Sequence, residues 1–176
     1  MPATKLTYRE YARLPDDGLR YDILDGEVVV SSNPGSFHQG LQAELGCELV
    51  GRVYRTGRGR VFGSLDCELL PHDIVRPDLL VVLPSHYRRI TNSRIRGTPD
   101  LVIEILTPGT AARDRHEKRR RYEAAGTPEL WLVDGARRSV LQFVHDGARL
   151  QLVRTATRRL SPAILPDVVI PLTWTW

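Results

Sequence analysis

A mixed α/β domain, with a central sheet and helices packed against it, is the fold class the sequence predicts, and three observations carry that prediction. Two short, nearly continuous apolar runs, DLLVVL at 78–83 and LVIEIL at 101–106, have the length and composition of buried central strands. Phe37, Leu41, Leu45, Leu49 and Val53 recur at four-residue steps, the spacing of one buried helix face. Asp25-Gly26 separates two β-branched runs in RYDILDGEVVVSS, which is the signal of a tight hairpin.

In chain order, residues 5–14 read as a short amphipathic helix that Pro15 ends, and the hairpin follows. Asn33-Pro34-Gly35-Ser36 forms a loop that can cap the helix starting near Phe37. Gly57, Gly59 and Gly63 punctuate the return into a strand around 61–70, and a polar, arginine-rich connection joins the two apolar runs. A second long helix is expected over 111–125, closed by Gly126 and Pro128. The strand ELWLVD comes next, then VLQFVHDGARLQLV, in which Asp146-Gly147 marks another hairpin. Internal repeats, low-complexity stretches and interdomain linkers are absent from the sequence, so residues 1–176 are expected to form one domain.

Composition narrows the class. A chain of 176 residues that is 41% hydrophobic and 26% charged can bury a sizeable core and matches neither a disordered nor a membrane-embedded profile. The opening MPATKLTYREYARLP lacks the apolar centre of a signal peptide, and no segment approaches the roughly 18 apolar residues of a bilayer span, so a cytoplasmic protein without membrane contact is expected. Cys47 and Cys67 are far apart and form no CxxC pair, which fits two reduced thiols. The net charge of +4 is small, yet arginines bunch at 52–60, 88–96 and 113–121. Such bunching suits a surface that tracks phosphates, although solvated faces would produce it as well.

Chemistry is expected where the two apolar runs carry ionisable residues. Asp78 opens one run directly after Pro77, and Glu104 interrupts the other between Ile103 and Ile105. A carboxylate in such a strand is costly unless it is paired or binds a metal. Consecutive strands are usually neighbours, so the two carboxylates can converge on one hard divalent cation, Mg²⁺ or Mn²⁺, through oxygen ligands and water. No histidine pair at ligand spacing accompanies them, which argues against zinc. On the second helix Asp114, Lys118 and Tyr122 follow at four-residue steps and share a face, which brings Lys118 back towards the end of the Glu104 strand.

These segments together resemble the PD-(D/E)XK phosphodiesterase signature, with Pro77-Asp78 as its first half and Glu104 as its acidic second half. Leu106 stands where that signature normally has lysine. RPDLLVV, LVIEILTPGT and RDRHEKRRRYEAAGTPELWLVD are similar to the ordered segments of the Uma2-like family (DUF820), as is the earlier RYDILDGEVVVSSNPGSFH. That resemblance covers roughly residues 5–145. It implies a restriction-endonuclease-like fold and metal-assisted hydrolysis of a nucleic-acid phosphodiester, DNA before RNA. It makes Asp78, Glu104 and a relocated Lys118 the catalytic set, with Asp78 and Glu104 holding Mg²⁺ or Mn²⁺. Glu27, His38 and Asp114 match family positions and are expected at a secondary site. Arg76, Arg113 and Arg119 are the expected nucleic-acid contacts.

Two other functions stay open at this stage. One is a nucleic-acid-binding module that keeps the nuclease fold without turnover, since fold alone does not fix function. The other is an interaction protein, or a homodimer, that associates through the tail LTWTW or a sheet edge.

Overall fold

A computed structural model describes residues 5–31, 33–109 and 111–174, without the side chain of Arg113. The six-stranded sheet at the centre is built from β3 (Arg60–Gly63), β6 (Leu79–Val82), β8 (Leu101–Ile105), β9 (Glu129–Asp134), β10 (Ser139–His145) and β11 (Leu150–Ala156). Its spatial order is β11-β10-β9-β8-β6-β3. All its pairings are antiparallel except β8 with β9. A parallel pair needs a long crossover. Here the crossover carries α3 (Ala111–Arg113) and α4 (Arg119–Ala124), joined by a wider π-helical turn over Asp114–Lys118.

Strict alternation divides the central strands between two cores. Leu79, Val81, Leu101, Ile103, Ile105, Trp131 and Val133 face one way and meet α2 (Ser36–Leu49) and its π-helical extension (Val50–Tyr54) through Leu41, Leu45, Leu49 and Val53. Phe37, expected on that face, is 44% exposed. It lies in the first turn of α2 against Gly135, where a Cβ would come within 2.6 Å of its ring. Leu80, Val82, Val102, Leu130 and Leu132 face the other way, where Tyr122 of the crossover and a second sheet cover them.

That second sheet runs β2-β1-β5-β4-β7: β1 (Arg20–Leu24), β2 (Glu27–Ser31), β4 (Cys67–Leu70), β5 (Asp73–Val75) and β7 (Ile95–Arg96). Its β1–β2 hairpin turns on Asp25 at φ 53° and Gly26 at φ 83°, the two left-handed residues that a tight turn of this hand requires. The strand expected over 61–70 is split. Ser64 takes φ 49° and bends the chain, so β3 joins the central sheet and β4 the second one. The helix expected over 5–14 shortens to α1 (Tyr8–Tyr11), because Thr7 and Glu10 close a capping box at its start. A small pair, β12 (Arg159–Leu160) with β13 (Ile170–Pro171), ends the chain's regular structure. Leu172 is buried, and Trp174 donates to the Thr157 carbonyl oxygen; Trp176 of the tail lies outside the described residues.

Candidate active site

The register of the central sheet decides where the two carboxylates meet. Leu79 pairs with Ile103 and Leu80 with Val102 in the antiparallel β6–β8 ladder, so Asp78, one residue before β6, stands opposite Glu104. Opposed residues in such a ladder point to the same face, with Cβ atoms about 4.5–5.5 Å apart. Both side chains line one cavity of about 440 Å³ with Asp22, Asp114, Lys118, Arg20 and His38.

Asp78 is 2% exposed and held on both oxygens. Arg20 donates to Oδ1 at 2.9 Å; His38 Nε2 at 3.0 Å and the Ile105 backbone N–H at 2.8 Å meet Oδ2. Burial opposes ionisation of Asp78, but the hydrogen bond from His38 and the charge of Arg20 outweigh it and hold the carboxyl below its usual range.

Glu104 behaves in the opposite way. Burial, with Asp114 and Asp78 adding to it, pushes its carboxyl up to about 8 despite the Lys118 charge beside it. Tyr122 donates to Glu104 Oε1 at 2.6 Å and Lys118 Nζ at 3.2 Å. Among the described residues, both hydrogen bonds to Glu104 fall on Oε1, so Oε2 keeps its lone pairs for another partner.

Lys118 comes from the π-helical turn of the crossover and is 5% exposed. Its ammonium meets Asp22 at 3.2 Å, Glu104 at 3.2 Å and Asp114 at 3.7 Å. Burial alone would strip its proton, yet the three carboxylates raise its pKa well above the ordinary lysine value, so it stays charged. The widened turn stands where the helix faces the site, a frequent place for π-turns.

The sequence-predicted residues therefore divide. Asp78, Glu104, Lys118, His38 and Asp114 share the cavity wall. Glu27 does not: it pairs with Leu24 at the hairpin corner and is exposed. Arg76 donates to Asp66 at 2.6 Å and lines the adjoining groove instead. The Arg119 guanidinium lies over the Phe143 ring, 5.2 Å from its centroid, and does not line the cavity. The side chain of Arg113 lies outside the described residues. Arg20 and Asp22 were missed. Both reach the site from β1 of the second sheet, and their only signal in the sequence is their i, i+2 spacing on one strand face.

A divalent cation fits this donor set. Asp22, Asp78, Glu104 and Asp114 bring four carboxylates to the cavity against the two fixed cations Arg20 and Lys118, an excess of negative charge that a hard cation relieves. Among the described residues no group of three or more His, Cys, Asp or Glu side chains is arranged to hold a metal. The fit is thus to an ion held by one or two carboxylates and completed by water, as Mg²⁺ commonly is.

No curated protein matches the chain. A crystal structure described as "a putative nuclease belonging to DUF820", from Anabaena variabilis ATCC 29413, superposes with a TM-score of 0.77 at 20% identity, covering 96% of each chain, so the two share a fold. The model of the Uma2 family, described as "Putative restriction endonuclease", matches residues 8–173, and the chain belongs to that family.

Proposed function

We propose that the protein is a metal-dependent endonuclease that hydrolyses phosphodiester bonds in nucleic acid, DNA before RNA, with Asp78, Glu104 and Lys118 as its catalytic residues. One observation carries this: two opposed, buried carboxyl groups share a cavity with a buried lysine whose ammonium lies 3.2 Å from one of them.

Asp78 and Glu104 would hold Mg²⁺ or Mn²⁺. Such an ion, when bound, polarises a phosphoryl oxygen and lowers the pKa of a coordinated water. Arg20 and His38 keep Asp78 anionic and fix its orientation, as the partners of a ligating carboxylate must. Tyr122 secures Glu104 Oε1 and so fixes the orientation of the carboxyl group. Lys118, held charged by Asp22 and Asp114 as well as by Glu104, stabilises negative charge as it builds on the phosphoryl oxygens.

The test is purified protein with Mg²⁺ or Mn²⁺ on single- and double-stranded DNA and RNA, beside Asp78→Asn and Glu104→Gln. The wild type should cut and the variants should not. Binding without any cleavage would favour the silent nucleic-acid-binding module. Equal cleavage by all three preparations would mean a contaminant and would remove the assignment.

A further inference from the structure

A second concavity of about 660 Å³ adjoins the carboxylate cavity and shares Arg20, Asn33 and Pro34 with it, so the two form one continuous trough. Their charges differ sharply. Four carboxylates line the first, whereas among the described residues none lines the second, whose polar groups are Arg20, Arg76, Asn33, Gln39, Gln42 and Ser64. Arg76 is paired there with Asp66 through Nε, and the Gln39 and Gln42 amides are held by the Pro34 carbonyl oxygen and by Ser64 and the Asp78 carbonyl oxygen, so the groove is a fixed polar wall. Acid at one end and arginine and amide groups at the other is an order that suits a chain of phosphates.

The junction between them carries the start of a helix, a buried imidazole and a guanidinium. The fourteen-residue helix α2 begins there on Gly35, with no side-chain cap and no acidic residue in its first turn. Its leading N–H groups and the positive end of its dipole thus lie at the carboxylate cavity, next to the shared Asn33 and Pro34. His38, in that same turn, is 4% exposed and lines the cavity, and its Nδ1 is a buried polar atom without a hydrogen-bond partner among the described residues. Arg20 spans the seam, with one guanidinium nitrogen on Asp78 and another on the Arg76 carbonyl oxygen.

We infer that this groove seats the phosphate next to the one cleaved, so that the substrate strand passes from Asp78 and Glu104 over the first turn of α2 towards Arg76. The inference rests on the nuclease function proposed above for the substrate's direction, but not for its test. It assigns the protein a polynucleotide substrate of at least two consecutive phosphodiesters. It also makes Gln39 and Arg76 contacts to the sugar-phosphate backbone, indifferent to base sequence.

Ala43 supplies a clean probe, because it is an exposed residue of α2 in the groove wall and occupies neither cavity's polar machinery. Binding of a fluorescein-labelled 12-nucleotide DNA, single- and double-stranded, is followed by anisotropy in EDTA. Ala43→Glu should weaken binding roughly tenfold and Ala43→Lys should strengthen it severalfold. Arg76→Gln should lower the slope of log affinity against log salt by about one. Ala148→Glu, in the β10–β11 turn and lining neither cavity, sets the effect of net charge alone and should bind nearly as the wild type does.

Opposite shifts for Ala43→Glu and Ala43→Lys, each larger than that of Ala148→Glu, support the groove whether or not the protein cleaves. If no preparation cuts nucleic acid while the shifts persist, the catalytic proposal falls and the groove stands. Wild-type protein that binds neither oligonucleotide, or Ala43 variants that move no further than Ala148→Glu, would overturn the inference.

Discussion

Two glutamates in adjacent strands of one sheet have opposite fates. Glu104 in β8 and Glu129 in β9 are 2% and 0% exposed; the first lies inside an apolar run and the second opens one. Glu129 shares a face with Trp131, Glu104 with Val102, so the two point to opposite sides of the sheet. Glu129 Oε1 accepts from Trp131 Nε1 at 2.6 Å and from Gln142 Nε2 at 2.7 Å, and Oε2 accepts from the Ile164 backbone N–H at 3.0 Å. Neutral donors satisfy it and tie the chain after β12 to the sheet. Glu104 instead faces other carboxylates across a cavity, has both its hydrogen bonds among the described residues on one oxygen, and is pushed up to about 8 by burial. Burial of an acid thus does not mark a site; burial with incomplete satisfaction and neighbouring like charge does.

The sharpest way to break this contrast is activity. Asp78→Asn and Glu104→Gln should each lower phosphodiester cleavage by on the order of 10³-fold, since each removes a proposed ligand to the ion that stabilises charge in the transition state. Glu129→Gln should keep cleavage within a few-fold of the wild type at a temperature where both are folded. A comparable loss in Glu129→Gln would erase the distinction between the two acids.

Stability should separate the surroundings of the two acids in the same order. Lys118→Met leaves Asp22, Glu104 and Asp114 facing one another without their shared cation, and should cost about 3–5 kcal/mol in chemical denaturation. Glu129→Gln must turn an amide N–H against at least one donor, and should cost about 1–3 kcal/mol. A Lys118→Met protein as stable as the wild type would show that the carboxylates do not depend on it.

How much of this was legible in sequence follows from the reach of each contact. Asp78 and Glu104 stood out because an ionisable residue within a β-branched run has few inexpensive explanations, and their pairing followed from adjacent strands. Lys118 followed from four-residue spacing on the crossover helix, which also set Tyr122 on the same face. Arg20 and Asp22 did not, because their role depends on a second sheet folding over the first. In RYDIL they look like the ordinary polar start of an edge strand. The split at Ser64 went unseen for a related reason: a left-handed non-glycine residue leaves no pattern in an otherwise strand-like stretch. Arg119 was legible only as charge, and its position over Phe143 belongs to packing that linear bunching cannot express.

A smaller effect sharpens the contrast through pH. Glu104 binds its proton more tightly in the folded chain, at about 8 against an ordinary 4.5, because of burial. Its contribution to stability is therefore full below about 4.5, declines as pH rises, and is lost above about 8. Asp78, held below its ordinary 3.8, acts in the separate acid range below that value, where stability is lost as pH falls. In EDTA the wild type should lose stability between pH 4.5 and 8 relative to Glu104→Gln, and Mg²⁺ or Mn²⁺ should flatten that difference. Parallel curves for the two proteins would contradict the assignment of the proton to Glu104.

The most direct measurement is anomalous diffraction from crystals of the protein soaked in Mn²⁺. A peak is expected in the carboxylate cavity within ligand distance of Asp78 and Glu104, absent from crystals of Glu104→Gln. A peak confined to other carboxylates, or no peak at saturating Mn²⁺ with the cavity open to solvent, would contradict that expectation.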